Sequence, residues 1–311
     1  MTDMIAGDEP PLPADGEEEA PPQTKGTGAT CDLCPRACRI APGGTGFCRA
    51  RGVPGGERRE TEARDEAVAP VGYGWLTSIA LDPIEKKPLY HFYPGSKILS
   101  VGGFGCNLRC PWCQNHSISM VGVSDAKTRE VSPETLAGLA ELYVERGNIG
   151  VAFTYNEPLI GYEYVRDVSR LLKARGLKSV LVTNGYANPS YFEELLPLVD
   201  AMNIDLKSFN PNFYRRIGGD LATVLENIRL AAARCHVELT CLLMDGENDS
   251  EDEMKRMTDF IAALSPEIPL HISRFFPNYR MTDREPTRME TLRKFEEIAG
   301  RKLKYVYLGN V

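Results

Sequence analysis

From about Lys97 onward, short runs of β-branched and other apolar residues alternate with longer amphipathic stretches. The short runs at 98–102, 150–154, 179–183, 201–206, 237–243 and 270–275 have the length and composition of strands, and 304–308 is a candidate seventh. Between them, apolar positions recur at helical spacing over 133–145, 159–174, 189–195, 221–235, 251–264 and 287–298. Ser132 and Ser250 precede two of these stretches. A serine there can cap the helix, because its side-chain oxygen accepts from a backbone N–H that has no partner inside the helix.

Strand followed by helix, six times over, predicts a parallel sheet with crossover helices. Six units are fewer than the eight that close a full barrel, and no dinucleotide-binding glycine fingerprint follows the first strand. The expected fold class is α/β: a partial (β/α)6 TIM-type barrel with a small N-terminal cysteine-rich metal-binding module. A doubly wound sheet is the alternative. In either case, residues that follow the strands should line the active site.

Four stretches are expected. Residues 1–30 are acidic and proline-rich, with few large apolar side chains to offset ordering entropy, and read as a disordered tail. Residues 31–60 form the cysteine-rich module, 61–96 a connecting segment and 97–311 the partial barrel.

The whole chain of 311 residues is 42% hydrophobic and 25% charged, enough for a sizeable core. A net charge of −7 argues against nucleic acid as the main partner, because phosphate binding calls for basic surface. No apolar run approaches the roughly 20 residues that span a bilayer, and the amino terminus lacks a secretory pattern. The expectation is a cytoplasmic protein with no membrane partner.

Cysteine usage sharpens this picture. Seven of the nine cysteines fall into two tight groups, Cys31, Cys34, Cys38 and Cys48, then Cys106, Cys110 and Cys113. Such spacing suits metal better than cystine. The second group lies on a glycine-rich loop directly after the first strand, with Gly102, Gly103 and Gly105 before it. Three thiolates at this spacing can hold three corners of an iron–sulfur cubane and leave the fourth iron open for chemistry. Cys235 and Cys241 sit in an amphipathic helix end and an apolar strand, and read as ordinary buried thiols.

The C-x3-C-x2-C triplet, with Trp112 just before its last cysteine, resembles the signature of the radical S-adenosylmethionine (SAM) superfamily. The stretch 82–96, together with Gln114 and Asn115 after the motif, is similar to the AmmeMemoRadiSam-system radical enzymes, relatives of pyruvate formate-lyase activating enzymes. This resemblance covers about residues 31–311. It implies a 4Fe-4S cluster on Cys106, Cys110 and Cys113 that chelates SAM at its open iron. One electron, from a donor of the flavodoxin or ferredoxin type, would then yield a 5′-deoxyadenosyl radical that takes hydrogen from an unidentified small-molecule or protein substrate.

Further residues follow from the same resemblance. Trp112 and Glu157 are expected at the cofactor, Glu157 toward its amino group, although an acidic residue near a helix amino terminus is the plainer reading. Asn184 would lie near the ribose, or simply occupy an Asn-Gly turn. Asp205 and Lys207, two residues apart at a strand end, are expected in catalysis or as a plain ion pair. Arg274 would clamp the cofactor carboxylate, or serve a structural pair. The stretch 82–96, with Lys86, Lys87 and His91, either faces the substrate entrance or packs against the barrel.

Cys31, Cys34, Cys38 and Cys48 provide four thiols, enough for tetrahedral zinc or for a second, fully ligated iron–sulfur cluster. Four protein ligands close a site, which suits a structural or electron-transfer role. Two competing functions remain: an activase that places a radical on a partner protein, and a non-catalytic iron–sulfur or zinc protein.

Overall fold

The computed structural model describes residues 28–55 and 68–311. Most of the expected tail, and 56–67 at the junction of the cysteine-rich module and the connecting segment, lie outside the described residues.

An eight-stranded sheet organises the chain. Its strands are β1 (Ser78–Pro83), β2 (Lys97–Gly102), β3 (Asn148–Phe153), β4 (Lys178–Thr183), β5 (Ala201–Asp205), β6 (His236–Leu243), β7 (Leu270–Arg274) and β8 (Val306–Gly309). From β2 to β8 each strand pairs in parallel with the next, and β1 pairs antiparallel with β2. The helices that follow β2 to β7 in turn are α1 (Pro133–Leu142), α2 (Tyr162–Ala174), α3 (Pro189–Leu195), α4 (Leu221–Ala232), α5 (Glu251–Leu264) and α6 (Met289–Gly300). Six βα units and a closing strand make the partial barrel expected from the sequence. Because strand order never reverses, the doubly wound alternative is set aside.

Local chemistry sets the helix starts. Ser132 accepts from Thr135 N ahead of α1, with Pro133 in the first turn, where its missing N–H costs nothing. Ser250 accepts from Glu253 N ahead of α5, whose first turn carries Glu251, Asp252 and Glu253 and so complements the helix dipole. The helix expected over 159–174 begins later, at Tyr162, because Pro158–Gly161 form a 3-10 turn first.

Strand β1 was not anticipated. After it, a loop plugs the amino-terminal end of the barrel: Ile84, Leu89 and Phe92 pack with Ile98, Ala152, Val180 and Ala201 in a small core of their own. Asn203 Nδ2 donates to the Pro88 carbonyl at 2.8 Å, and Glu238 accepts from the Tyr90 and His91 amides at 3.0 and 2.7 Å. The stretch 82–96 therefore packs against the barrel and floors it. The cysteine-rich segment is not a separate bead either, since Cys31, Leu33, Ile40 and Cys48 share the main core with Phe104, Leu108 and Cys110. No helix among the described residues is long and apolar enough to cross a membrane.

Candidate active site

At the carboxyl ends of the strands, above this floor, lies a cavity of about 380 Å³. Cys106, Cys110, Trp112 and Cys113 line it from the β2 exit, Glu157 and Asn184 from the β3 and β4 exits, and Asp205 and Lys207 from β5. Sequence reading thus brought eight residues to one place, from four successive strand ends.

The β2 exit loop is held by its neighbours. Asn156 accepts from Gly103 N at 2.9 Å and donates to the Phe104 and Gly105 carbonyls at 3.1 and 3.2 Å. Arg109 donates to the Cys106 carbonyl at 2.7 Å. Asn184 Nδ2 donates to Asn107 Oδ1 at 2.9 Å and approaches Cys106 Sγ at 3.7 Å. Gly105 adopts φ +78°, and a β-carbon there would collide with the Cys48 carbonyl oxygen, so glycine is required.

All nine cysteines are free thiols. Among the described residues no three His, Cys, Asp or Glu side chains close on a single point as ligands of one metal ion must. A cubane asks for something else, thiols spread around a larger group, and three thiols facing one cavity fit that donor set. Burial pushes the Cys110 thiol up to about 11 and Cys106 higher still, the latter also through Glu157 nearby. Positive charge from bound iron is what would keep these thiolates ionised at neutral pH.

Glu157 is buried, and its carboxylate accepts from Leu159 N, Thr183 Oγ1 and Asn184 N at 3.0, 2.6 and 2.8 Å. Burial raises its pKa to about 7 in spite of these bonds. Glu157 thus ties the β3 and β4 exits together, and Oε2, with a single bond, keeps capacity to accept another donor. Lys207 donates to Asp205 Oδ2 at 2.8 Å. Burial opposes its charge, but Asp205 and Cys110 outweigh burial and hold its pKa well above the ordinary value. Trp112 leans on Phe213 with ring centroids 5.4 Å apart.

Arg274 is placed elsewhere. Its Nε donates to the Thr287 carbonyl at 2.8 Å and its guanidinium stands 5.0 Å from the centre of the Phe276 ring, whereas Ser273, one residue earlier, lines the cavity. Side chains alternate along a strand, so only one of the two can face inward. Cys31, Cys34, Cys38 and Cys48 line a second, smaller cavity together. Cys235 and Cys241 line neither.

Sequence reasoning missed Asn156 and Tyr155. Tyr155 is in the left-handed region at φ +71° and donates to Asp82 at 2.7 Å, next to the Lys87 ammonium. A polar residue at a strand exit was the available signal for Asn156. Nothing local pointed to Asp82, 73 residues away in sequence.

The model of the radical SAM superfamily matches residues 100–258. An uncharacterized protein of Methanocaldococcus jannaschii is 40% identical over 285 residues, covering 90% of this chain and 81% of its own. The pyruvate formate-lyase-activating enzyme of Clostridium pasteurianum is 26% identical over 62% of this chain and 86% of its own. A GTP 3′,8-cyclase of Peptoclostridium acidaminophilum is 32% identical over 61% and 57%. Among solved structures, Streptococcus suis SuiB bound to S-adenosylmethionine superposes with a TM-score of 0.51 at 13% identity, covering 68% of this chain and 51% of that one. That likeness is one of fold.

Proposed function

Because the chain belongs to the radical SAM superfamily, we propose that it reductively cleaves S-adenosylmethionine at a 4Fe-4S cluster, giving a 5′-deoxyadenosyl radical that takes hydrogen from a substrate in the cavity. The observation that carries this reading is the opening of Cys106, Cys110 and Cys113 into the cavity that Glu157, Asn184, Asp205 and Lys207 also line.

Each residue then has a task. The three thiolates hold the cluster and leave one iron free for the amino and carboxylate groups of the cofactor. Oε2 of Glu157 accepts from the cofactor ammonium, while its other bonds fix the loops on either side. Asn184 donates toward the Cys106 sulfur and sets the height of the cluster loop. Lys207, kept charged by Asp205, offers a cation to an anionic group, and Asp205 offers an acceptor to hydroxyls. The plugged floor excludes water from below, as a reactive radical requires.

The similarity of the 82–96 stretch supports the finer placement among AmmeMemoRadiSam-system enzymes. A second reading, an activase acting on a glycine of a partner protein, draws on the similarity to the Clostridium pasteurianum activating enzyme. A glycyl radical signal on a partner would favour it.

The deciding experiment is anaerobic reconstitution and reduction with dithionite in the presence of S-adenosylmethionine. 5′-Deoxyadenosine is quantified for the wild type and for a Cys106→Ala, Cys110→Ala, Cys113→Ala variant. Product from the wild type alone is expected. A loaded, reducible wild type that makes none would favour the non-catalytic reading.

A further inference from the structure

Cys31, Cys34, Cys38 and Cys48 line one small cavity together. The chain folds back to make it: Cys31 N donates to the Cys38 carbonyl at 2.8 Å, and the two-residue strands Ala29–Thr30 and Arg39–Ile40 pair antiparallel.

Two cations border the same space. Arg51 is 5% exposed and holds Glu163 with two bonds of 2.8 Å. The Nε atoms of Arg51 and of Arg36, which also lines the cavity, are buried without a hydrogen-bond partner. Buried donors left without partners are rare, and an anionic occupant with exposed sulfides would accept from them.

Hydrogen bonding separates the two candidate occupants. Zinc needs all four sulfurs about 2.3 Å from one point. The four thiols line a common space, and a cluster would present sulfides as well as thiolates to the two buried Nε donors beside it, which zinc on four thiolates would not. A multi-iron cluster takes its cysteines spread around it, the arrangement also found at Cys106, Cys110 and Cys113.

Adjacent residues of one loop line the two cavities. Cys106 lines the large cavity, and Asn107, its neighbour, lines the small one. The Cys48 carbonyl rests on Gly105. Arg109 reaches from the Cys106 carbonyl to the Phe47 carbonyl, with its guanidinium 3.9 Å from the centre of the Phe47 ring. On the outer side Cys34 and Cys38 are half-buried rather than enclosed.

We propose that Cys31, Cys34, Cys38 and Cys48 hold an iron–sulfur cluster that passes single electrons across the Cys106–Asn107 loop to the cluster at Cys106, Cys110 and Cys113. The receiving end rests on the function proposed above. An external one-electron protein donor of low potential reduces the outer cluster, which is reoxidised as the inner one gains the electron. No bond forms or breaks, and no proton moves.

The first test uses the full-length Cys106→Ala, Cys110→Ala, Cys113→Ala variant, reconstituted anaerobically. Retained iron and acid-labile sulfide, with a paramagnetic signal on reduction, are expected. Zinc in their place overturns the proposal. The second test follows the inner cluster by freeze-quench electron paramagnetic resonance in a Cys34→Ser, Cys38→Ser variant. Reduction by a flavodoxin-type donor should be lost while dithionite still reduces the inner cluster. Donor-driven reduction at the wild-type rate overturns the relay.

If that variant misfolds, Arg36→Met removes a cation beside the outer cavity and no thiol. It should lower the midpoint potential of the outer cluster, and an unchanged potential overturns the assignment. A wild type that reduces both clusters yet makes no 5′-deoxyadenosine would refute the proposed function and leave this assignment standing.

Discussion

His271 and Glu238 are hydrogen-bonded across β7 and β6, Nε2 to Oε2 at 2.6 Å, in the interior of the barrel. His236 Nε2 lies 2.9 Å from the other carboxylate oxygen, and the Tyr90 and His91 amides donate to the same group. One fully buried carboxylate therefore fastens the floor loop to two strands.

This arrangement makes stability depend on acid pH. Burial alone would raise the Glu238 pKa, but the bonds from the two histidines and the two amides outweigh burial and hold it at about 2, below its ordinary 4.5. A carboxyl depressed on folding contributes stability that is complete above its unfolded pKa and lost as pH falls through the folded one. Glu238→Gln should cost about 2–3 kcal/mol at pH 7. Urea midpoints at successive pH values should show the gap to wild type narrowing as pH drops from 4.5 toward 2.

Lys207 and Asp205 should behave as one unit. Lys207→Met and Asp205→Asn are each expected to slow 5′-deoxyadenosine formation about tenfold or more, the equivalent of roughly 1.4 kcal/mol. The double variant should be no slower than the worse single one, because each residue acts through the pair. Additive losses in single-turnover assays would show that the two act independently.

At Gly105 a small change should have a large effect. Gly105→Ala forces an alanine to φ +78° and drives its β-carbon into the Cys48 carbonyl. The left-handed backbone alone costs roughly 1–2 kcal/mol. Reconstituted protein should show a lower melting temperature and reduced iron at the Cys106 site. Wild-type iron content would mean that the loop tolerates displacement.

Arg274→Ala separates the resemblance-based reading from the geometry. With Arg274 bonded to the Thr287 carbonyl, the substitution should leave S-adenosylmethionine affinity within about twofold and cost about 1 kcal/mol of stability for the lost bond. Isothermal titration of the loaded protein is the check, and a large loss of affinity would return Arg274 to the cofactor.

The six βα units were legible because helical and strand periodicities differ and the strands of a parallel sheet, covered on both faces, read as apolar runs. Strand β1 was not. At the sheet edge its residues are half-buried or exposed throughout, so Ser78, Ala80 and Asp82 give neither an apolar run nor a clean alternation. The role of 82–96 was hidden for another reason: its partner Glu238 lies 148 residues beyond Tyr90, and no local pattern encodes that pairing. Cys106, Cys110, Cys113, Asp205 and Lys207 were found because strand exits and short spacings are written locally. Choosing Ser273 over Arg274 needed the register, in which Ser273 sits opposite Leu242, itself on the cavity wall.

Strands β1 and β8 end the sheet without pairing with each other. On the β8 side the floor loop approaches through side chains instead: Tyr90 packs on Tyr307 at 4.9 Å and His91 on Tyr305 at 4.3 Å, and His91 Nε2 is hydrogen-bonded to the Tyr307 hydroxyl at 2.7 Å. Ring faces can slide where a ladder of backbone bonds would have to break. Between β8 and the floor loop, side chains alone close the barrel wall, and a guest that parted them would break no strand pairing.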